Sequence, residues 1–215
     1  MYKFFKRLFD IVCCLIALPF FFLLFLVVGV AIKMEDGGPI FYKAERIVKQ
    51  CKKIYMYKFR SMRVNAENIL NPDGSTYNAK NDPRVTRVGR IIRETSIDET
   101  PQLLNVLKGD MSIIGPRASS WEALSSYKDD EMDKMLVRPG ITGYTQAYYR
   151  NGLTVRDKRI KDAWYAQNAS LWLDIKIFFR TFVTVFKREN LYTNEQEAPD
   201  FTLTTSDKEK TTVVK

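Results

Sequence analysis

The sequence predicts an α+β fold, mostly helical, carried on an N-terminal membrane segment. Three observations predict it. Ile11 to Ile32 form an uncharged apolar run of 22 residues, two β-rich stretches lie between Ile40 and Met62, and helical apolar spacing returns from Arg87 onward. With 215 residues the chain holds one domain with a real core plus appendages. The division is residues 1–36 as the membrane helix and its flanks, 37–190 as a cytosol-facing domain with interfacial helices, and 191–215 as a disordered tail.

At a rise of about 1.5 Å per residue, the apolar run covers a hydrocarbon core roughly 30 Å thick. It lacks the small-x-small cleavage site of a signal peptide, so it is expected to remain in the protein. Its flanks conflict. Lys3, Lys6 and Arg7 precede the run and Lys33, Lys43, Arg46 and Lys49 follow it, so the positive-inside rule draws both ends toward the cytoplasm. Pro19, inside the run, removes a backbone hydrogen bond and offers a place for a break. A re-entrant hairpin satisfies both flanks, and an ordinary spanning helix with a translocated N-terminus is the alternative.

After Asp36-Gly37-Gly38-Pro39, "IFYKAERI" and "KKIYMYKFRSM" carry β-formers around a polar connection, which predicts a short β-hairpin. Val64 to Arg84 is rich in Asn, Asp, Gly, Ser and Pro and reads as a long loop with one helical turn near its start, of the kind that serves as a lid. Helices follow near Arg87–Arg93, Glu99–Leu107, Ser120–Met135 and Val155–Asn168. The last, Leu171 to Arg188, mixes aromatic residues at helical spacing with lysine and arginine, a composition that suits a core helix or a membrane interface. Beyond Asn194 apolar periodicity is lost.

Composition narrows the chemistry. Histidine is absent, which removes Ser-His-Asp and Cys-His nucleophile systems and His-based zinc sites. Cys13 and Cys14 are adjacent in the apolar run and Cys51 stands alone, so no disulfide framework is expected. The net charge of +9 suits nucleic acid, anionic lipid or a phosphorylated substrate. Attachment of the basic residues to a membrane segment, without a nucleic-acid-binding module, disfavours nucleic acid.

Two adjacent carboxylates, Asp98 and Glu99, stand in "RETSIDETPQ". Ser96-x-x-Glu99 has the capping-box pattern, and Thr100-Pro101 offers an alternative helix start. Capping accounts for Ser96, Glu99 and Pro101, and least well for Asp98. The basic residues Lys58, Arg60, Arg90, Arg93, Lys108, Arg117, Arg138 and Arg150 recur in or beside Gly/Pro-marked motifs, as phosphate recognition would require. A phosphate-bearing substrate also calls for a divalent cation, which hard carboxylate oxygens suit.

"KRLFD" at Lys6–Asp10, "YKFRSM" at Tyr57–Met62, "SIDETPQLLNVLKGDMSIIGPR" at Ser96–Arg117 and "RPGITGYTQ" at Arg138–Gln146 together resemble the bacterial sugar transferases, small monotopic phosphoglycosyl transferases. The resemblance spans about Lys6 to Arg188. It implies transfer of a sugar 1-phosphate from a UDP-sugar to undecaprenyl phosphate, with release of UMP, as the first membrane step of a surface glycan. It implies Asp98 as the nucleophile of a ping-pong reaction, Glu99 as the Mg²⁺ ligand, and Lys58, Arg93, Arg117, Arg138 and the more weakly matched Arg150 as phosphate or nucleotide contacts. It further implies a monotopic, re-entrant helix-break-helix at the bacterial inner membrane, both termini cytoplasmic, with downstream glycosyltransferases as possible partners. Direct single-step transfer, or an inactive membrane partner of a glycan assembly complex, are the alternatives.

The chain departs from the family pattern in places. Where the family break carries Ser-Pro, this chain has Phe22-Leu23; "GPRASS" lacks the usual proline after Arg117; "KAERIVK" lacks the usual glycine after Arg46; and "YTQAYYRNG" is unusual before and around Arg150.

Overall fold

In the computed structural model of the protein, the described residues are 1–69, 77, 79, 81–149 and 152–187. The expected tail at 191–215, Arg150 and the middle of the expected lid lie outside them. Helix α1 (Tyr2–Asp36) is closed by Gly37, whose φ of 70° is the left-handed C-terminal conformation that glycine adopts without strain. By length and composition α1 can cross a membrane. The helix-break-helix expected at Pro19 is not what forms: α1 runs through the proline as one helix. Asp10, Cys14, Phe21, Val28 and Ile32 form a buried stripe on both sides of Pro19. Packing of that stripe against one body offsets the single donor that proline removes.

The hairpin pairs β1 (Phe41–Val48) with β2 (Lys52–Phe59) antiparallel, from Phe41 opposite Phe59 to Val48 opposite Lys52. A tight turn at Lys49–Cys51 joins them, with Gln50 and Cys51 at positive φ. A short strand follows later in the chain on the free edge of β1, where Ser119 and Ser120 pair with Ile47 and Arg46. Phe25 stacks on Phe41 at 5.4 Å between ring centroids and Phe41 on Phe59 at 5.6 Å, so the hairpin is fastened to α1 by aromatic contact.

Helix α2 (Arg87–Glu94) begins where Thr86 accepts a hydrogen bond from the Gly89 amide at 2.9 Å. Helix α3 (Gln102–Lys108) ends at Gly109. It is followed by β3 (Ser112–Ile114), then β4, the Ser119–Ser120 edge strand, and β5 (Gly140–Thr142), which pairs parallel with β3. That pairing leaves no room for a side chain: a Cβ on Gly140 would lie 2.1 Å from the Gly115 backbone nitrogen. Gly140→Ala is therefore expected to destabilise the fold by about 3 kcal/mol, read as a lower thermal midpoint in detergent. An unchanged midpoint would mean that the two strands can separate freely.

Helices α4 (Tyr144–Tyr148), α5 (Val155–Asn168) and α6 (Leu171–Lys187) complete the domain. The helices expected at Arg87–Arg93 and Val155–Asn168, and the last helix, form as the spacing predicts. The helix expected at Ser120–Met135 does not. Two 3₁₀ segments, Trp121–Ser126 and Asp129–Leu136, flank extended backbone at Tyr127 and Lys128. Tertiary charge pairing decides this: buried Glu131 meets Arg156 at 3.0 Å and Arg159 at 3.2 Å, and buried Lys134 meets Asp162 at 3.0 Å.

Both ends of α1 are tied to this same domain. Near its start, Tyr2 and Lys6 donate to Asp174 at 2.8 and 2.7 Å, and Arg7 donates to the carbonyls of Val106 and Leu107 in the last turn of α3. Asp10 accepts from the Ser112 hydroxyl and the Ile113 amide. At its far end, Glu35 accepts from the Arg87 and Val88 amides that open α2, and Asp36 is paired with Arg60. Arg60, also bound to the Pro39 carbonyl, is thereby a structural clamp. The outward side of α1 remains apolar and exposed at Leu15, Ile16, Phe20, Leu23, Leu26 and Val30. Trp172, Phe179 and Phe182 of α6 are exposed as well.

Candidate active site

The two carboxylates stand in a 3₁₀ turn, Ile97–Glu99, between α2 and α3. The expected capping box does not form. Ser96 occupies the left-handed region at φ 59° and its side chain caps nothing. The Glu99 carboxylate points instead into two cations: Lys58 Nζ on β2 lies 2.6 Å from Oε1, and Arg117 Nη2, just after β3, lies 3.4 Å from the same oxygen. A charge-assisted contact between part-buried groups outweighs the backbone donor that capping would have satisfied. The start expected at Thr100-Pro101 is shifted too: the Thr100 hydroxyl donates to the Ile97 carbonyl at 2.9 Å, and the helix begins at Gln102.

This turn separates two neighbours of the same chemistry. Burial raises the Asp98 carboxyl, Lys58 draws it down, the Glu99 charge raises it again, and the outcome is a pKa of about 6. Burial also acts on Glu99, but Lys58 and Arg117 outweigh it and hold that group at about 2. Among the described residues no hydrogen bond or ion pair ties down the Asp98 carboxylate, whereas Glu99 is gripped from two sides. The Asp98 carboxylate is thus held less tightly than that of Glu99.

Beside Glu99 opens a small cleft of about 30 Å³ whose polar lining is Arg46, Gln102, Arg117, Gln146 and Glu99 itself. Burial and then the charge of Arg117 disfavour the charged form of Arg46. Two guanidinium groups facing one carboxylate, with Lys58 adjoining, leave an excess of positive charge suited to an anion.

Of the residues marked in the sequence, the fold brings Lys58 and Arg117 to Glu99, and Arg93, in the last turn of α2, close enough to lower the Asp98 pKa. Arg138 is exposed on the approach to β5, with its carbonyl facing Gly115; no contact joins its side chain to the pair among the described residues. Arg46, Gln102 and Gln146 join the cleft without having been singled out as site residues. Arg46 lies in "KAERIVK", and Gln102 and Gln146 close "RETSIDETPQ" and "RPGITGYTQ", but none of these stretches says which way the cleft opens.

The residue that could hold a divalent cation such as Mg²⁺ is Glu99, through Oε2, since the hydrogen bonds from Lys58 and Arg117 both fall on Oε1; this ion is ordinarily held by one or two carboxylates together with substrate phosphates. The described residues contain no cluster of three or more ligating side chains, so the remaining ligands would come from substrate and water.

A family model described as bacterial sugar transferase matches residues 1–188. The chain belongs to the bacterial sugar transferase family. It is 40% identical over 205 residues to the undecaprenyl-phosphate galactose phosphotransferase of Salmonella typhimurium, an alignment covering 88% of this chain and 42% of that protein. It is 41% identical to the UDP-N-acetylgalactosamine-undecaprenyl-phosphate N-acetylgalactosaminephosphotransferase of Aeromonas hydrophila, over 86% of this chain and 44% of the relative. The chain thus spans less than half the length of these two members. Against the exopolysaccharide production protein ExoY of Rhizobium meliloti, at 37% identity, 84% of each chain is covered.

Proposed function

We propose that this sugar transferase moves a sugar 1-phosphate from a UDP-sugar to undecaprenyl phosphate, releases UMP, and so starts assembly of a surface glycan at the cytoplasmic face of the bacterial inner membrane. The names of its relatives support the substrates, and downstream glycosyltransferases would take the product. The observation that carries the chemistry is the contrast between Asp98, whose carboxylate makes no hydrogen bond or ion pair among the described residues and is raised by burial, and Glu99, clamped and lowered by Lys58 and Arg117.

In the proposed first half-reaction an Asp98 carboxylate oxygen attacks the sugar-bearing phosphorus. The bond to the bridging oxygen breaks, UMP leaves with the electron pair, and an acyl phosphate to the sugar phosphate forms on Asp98. In the second, an oxygen of the lipid phosphate attacks the same phosphorus and restores the carboxylate, leaving a diphosphate-linked sugar on the lipid. Lys58 and Arg117, already aligned by Glu99, face the charge of the transferring phosphoryl group; Arg93 lies near the nucleophile, Arg46 lines the cleft, and Arg138 and Arg150 are proposed as phosphate or nucleotide contacts from the family motifs alone. Mg²⁺ held by Glu99 and the substrate phosphates would supply further neutralisation of that charge.

We also read the protein as monotopic. From Lys6 to Asp36 a helix extends about 45 Å at 1.5 Å per residue, longer than a hydrocarbon core of roughly 30 Å. A crossing would place the Lys6–Asp174 and Asp36–Arg60 contacts on opposite sides, yet both belong to one domain. The apolar outward side of α1 then rests in lipid while both ends stay cytoplasmic. A cysteine placed beside Met1 is expected to resist impermeant maleimide in intact cells and to react after lysis. Labelling from outside would overturn this placement.

The activity itself is tested by UMP release from a panel of UDP-sugars with undecaprenyl phosphate and Mg²⁺. At least one donor is expected to turn over, and total inactivity across the panel would sink the transferase reading.

A further inference from the structure

Among the described residues that line the cleft, Gln146 is the one with a shielded side-chain atom that lacks a hydrogen-bond partner. Its Nε2 donates to the Ile141 carbonyl at 2.9 Å, while its Oε1, shielded from solvent, accepts nothing among the described residues. Exchanging the two ends of the amide would set Oε1 against the Ile141 oxygen, so the network itself assigns the orientation. An unsatisfied shielded acceptor is costly, and Gln146 lines the same cleft as Glu99, Arg46 and Arg117.

We infer that Gln146 Oε1 is a specificity-determining acceptor that takes a hydrogen bond from an uncharged O–H or N–H of the donor substrate. This inference rests on the proposed use of a UDP-sugar. The phosphates of such a donor are matched by the cations of the cleft, and neither a phosphate nor a metal ion can donate to Oε1. What remains on the ligand with a proton to give is a hydroxyl of the transferred sugar or the imide N–H of uracil. Arg46 presents donors in the same cleft, so acceptors of the bound group can be met alongside. A site that holds a buried polar group for a ligand proton rejects the analogue lacking it, because the protein acceptor is then left bare.

The experiment compares the wild-type chain with Gln146→Met, which keeps length and removes the acceptor. Initial rates are measured with a UDP-sugar that turns over and its monodeoxy analogues, and inhibition with UMP and N3-methyl-UMP. If Oε1 reads the sugar, kcat/KM for the parent donor falls about 10-fold in Gln146→Met, one deoxy analogue is equally poor with both proteins, and UMP inhibition is unchanged. If it reads the base, UMP inhibition weakens about 10-fold and N3-methyl-UMP is equally weak with both. Either pattern supports the inference. A uniform loss across parents and analogues would make Gln146 structural, and no change at all would also overturn the inference.

Two readouts keep the test independent. Should Gln146→Met fail to fold, the wild type alone decides: if no deoxy donor and no N3-methyl nucleotide loses at least about 5-fold, no ligand proton is being read. Should no UDP-sugar turn over, the transferase reading fails, and calorimetric binding of UMP still tests Gln146.

Discussion

Asp98→Asn is expected to lower kcat by at least about 10³-fold, because the amide cannot form the acyl phosphate and no neighbouring group can replace it. Glu99, one residue away, is held through Oε1 by Lys58 at 2.6 Å and by Arg117, and those cations keep its carboxyl well below the usual range, so it is weakly nucleophilic. Incubation with a UDP-sugar alone is expected to leave a phosphosugar adduct on intact wild-type protein, visible as a mass increase, and none on Asp98→Asn. An adduct that persists in the variant would remove Asp98 as the nucleophile. Normal turnover without an adduct in the wild type would favour direct transfer from donor to lipid.

The second large effect concerns stability. Lys134 and Asp162 form an ion pair 3.0 Å long, with side chains 6% and 2% exposed, deep between the Asp129–Leu136 segment and α5. Lys134 also donates to the Ser119 hydroxyl on β4, and Asp162 accepts from the Thr145 hydroxyl on α4. Removing one partner leaves the other charge buried and uncompensated. Lys134→Met is therefore expected to cost about 3–5 kcal/mol, measured by denaturant titration in detergent. Lys134→Met combined with Asp162→Leu is expected to recover most of that loss, since buried pairs gain little over apolar packing. A double variant no more stable than the single would show that the hydroxyl contacts, and not the charges, hold these elements together.

Much of this architecture was legible before any coordinates. Apolar spacing marked α2, α5 and α6, and β-forming residues around a polar connection marked the hairpin. Those signals are local: a helix stripe or a strand alternation depends on burying one face of one segment. The failures share the opposite character. Pro19 predicts a break because a lone helix loses a hydrogen bond there, yet α1 is packed along its length and stays continuous. Ser96 and Glu99 fit the capping-box pattern, yet Lys58, 41 positions earlier, holds the carboxylate. The Ser120–Met135 segment reads as a helix, yet the charges of α5 draw Glu131 and Lys134 inward and divide it.

The site followed the same division. Residue types alone raise Asp98 and Glu99 beside a capping reading and mark eight basic residues together; the resemblance to the family singles out the carboxylate pair with Lys58, Arg93 and Arg117 among them. Which carboxylate is free, which is clamped, and that Arg46 and Gln146 complete the cleft were decided only by tertiary structure. A side chain's chemistry is written in its own identity, whereas its pKa and its open valences depend on groups distant in sequence that the fold brings within a few ångströms.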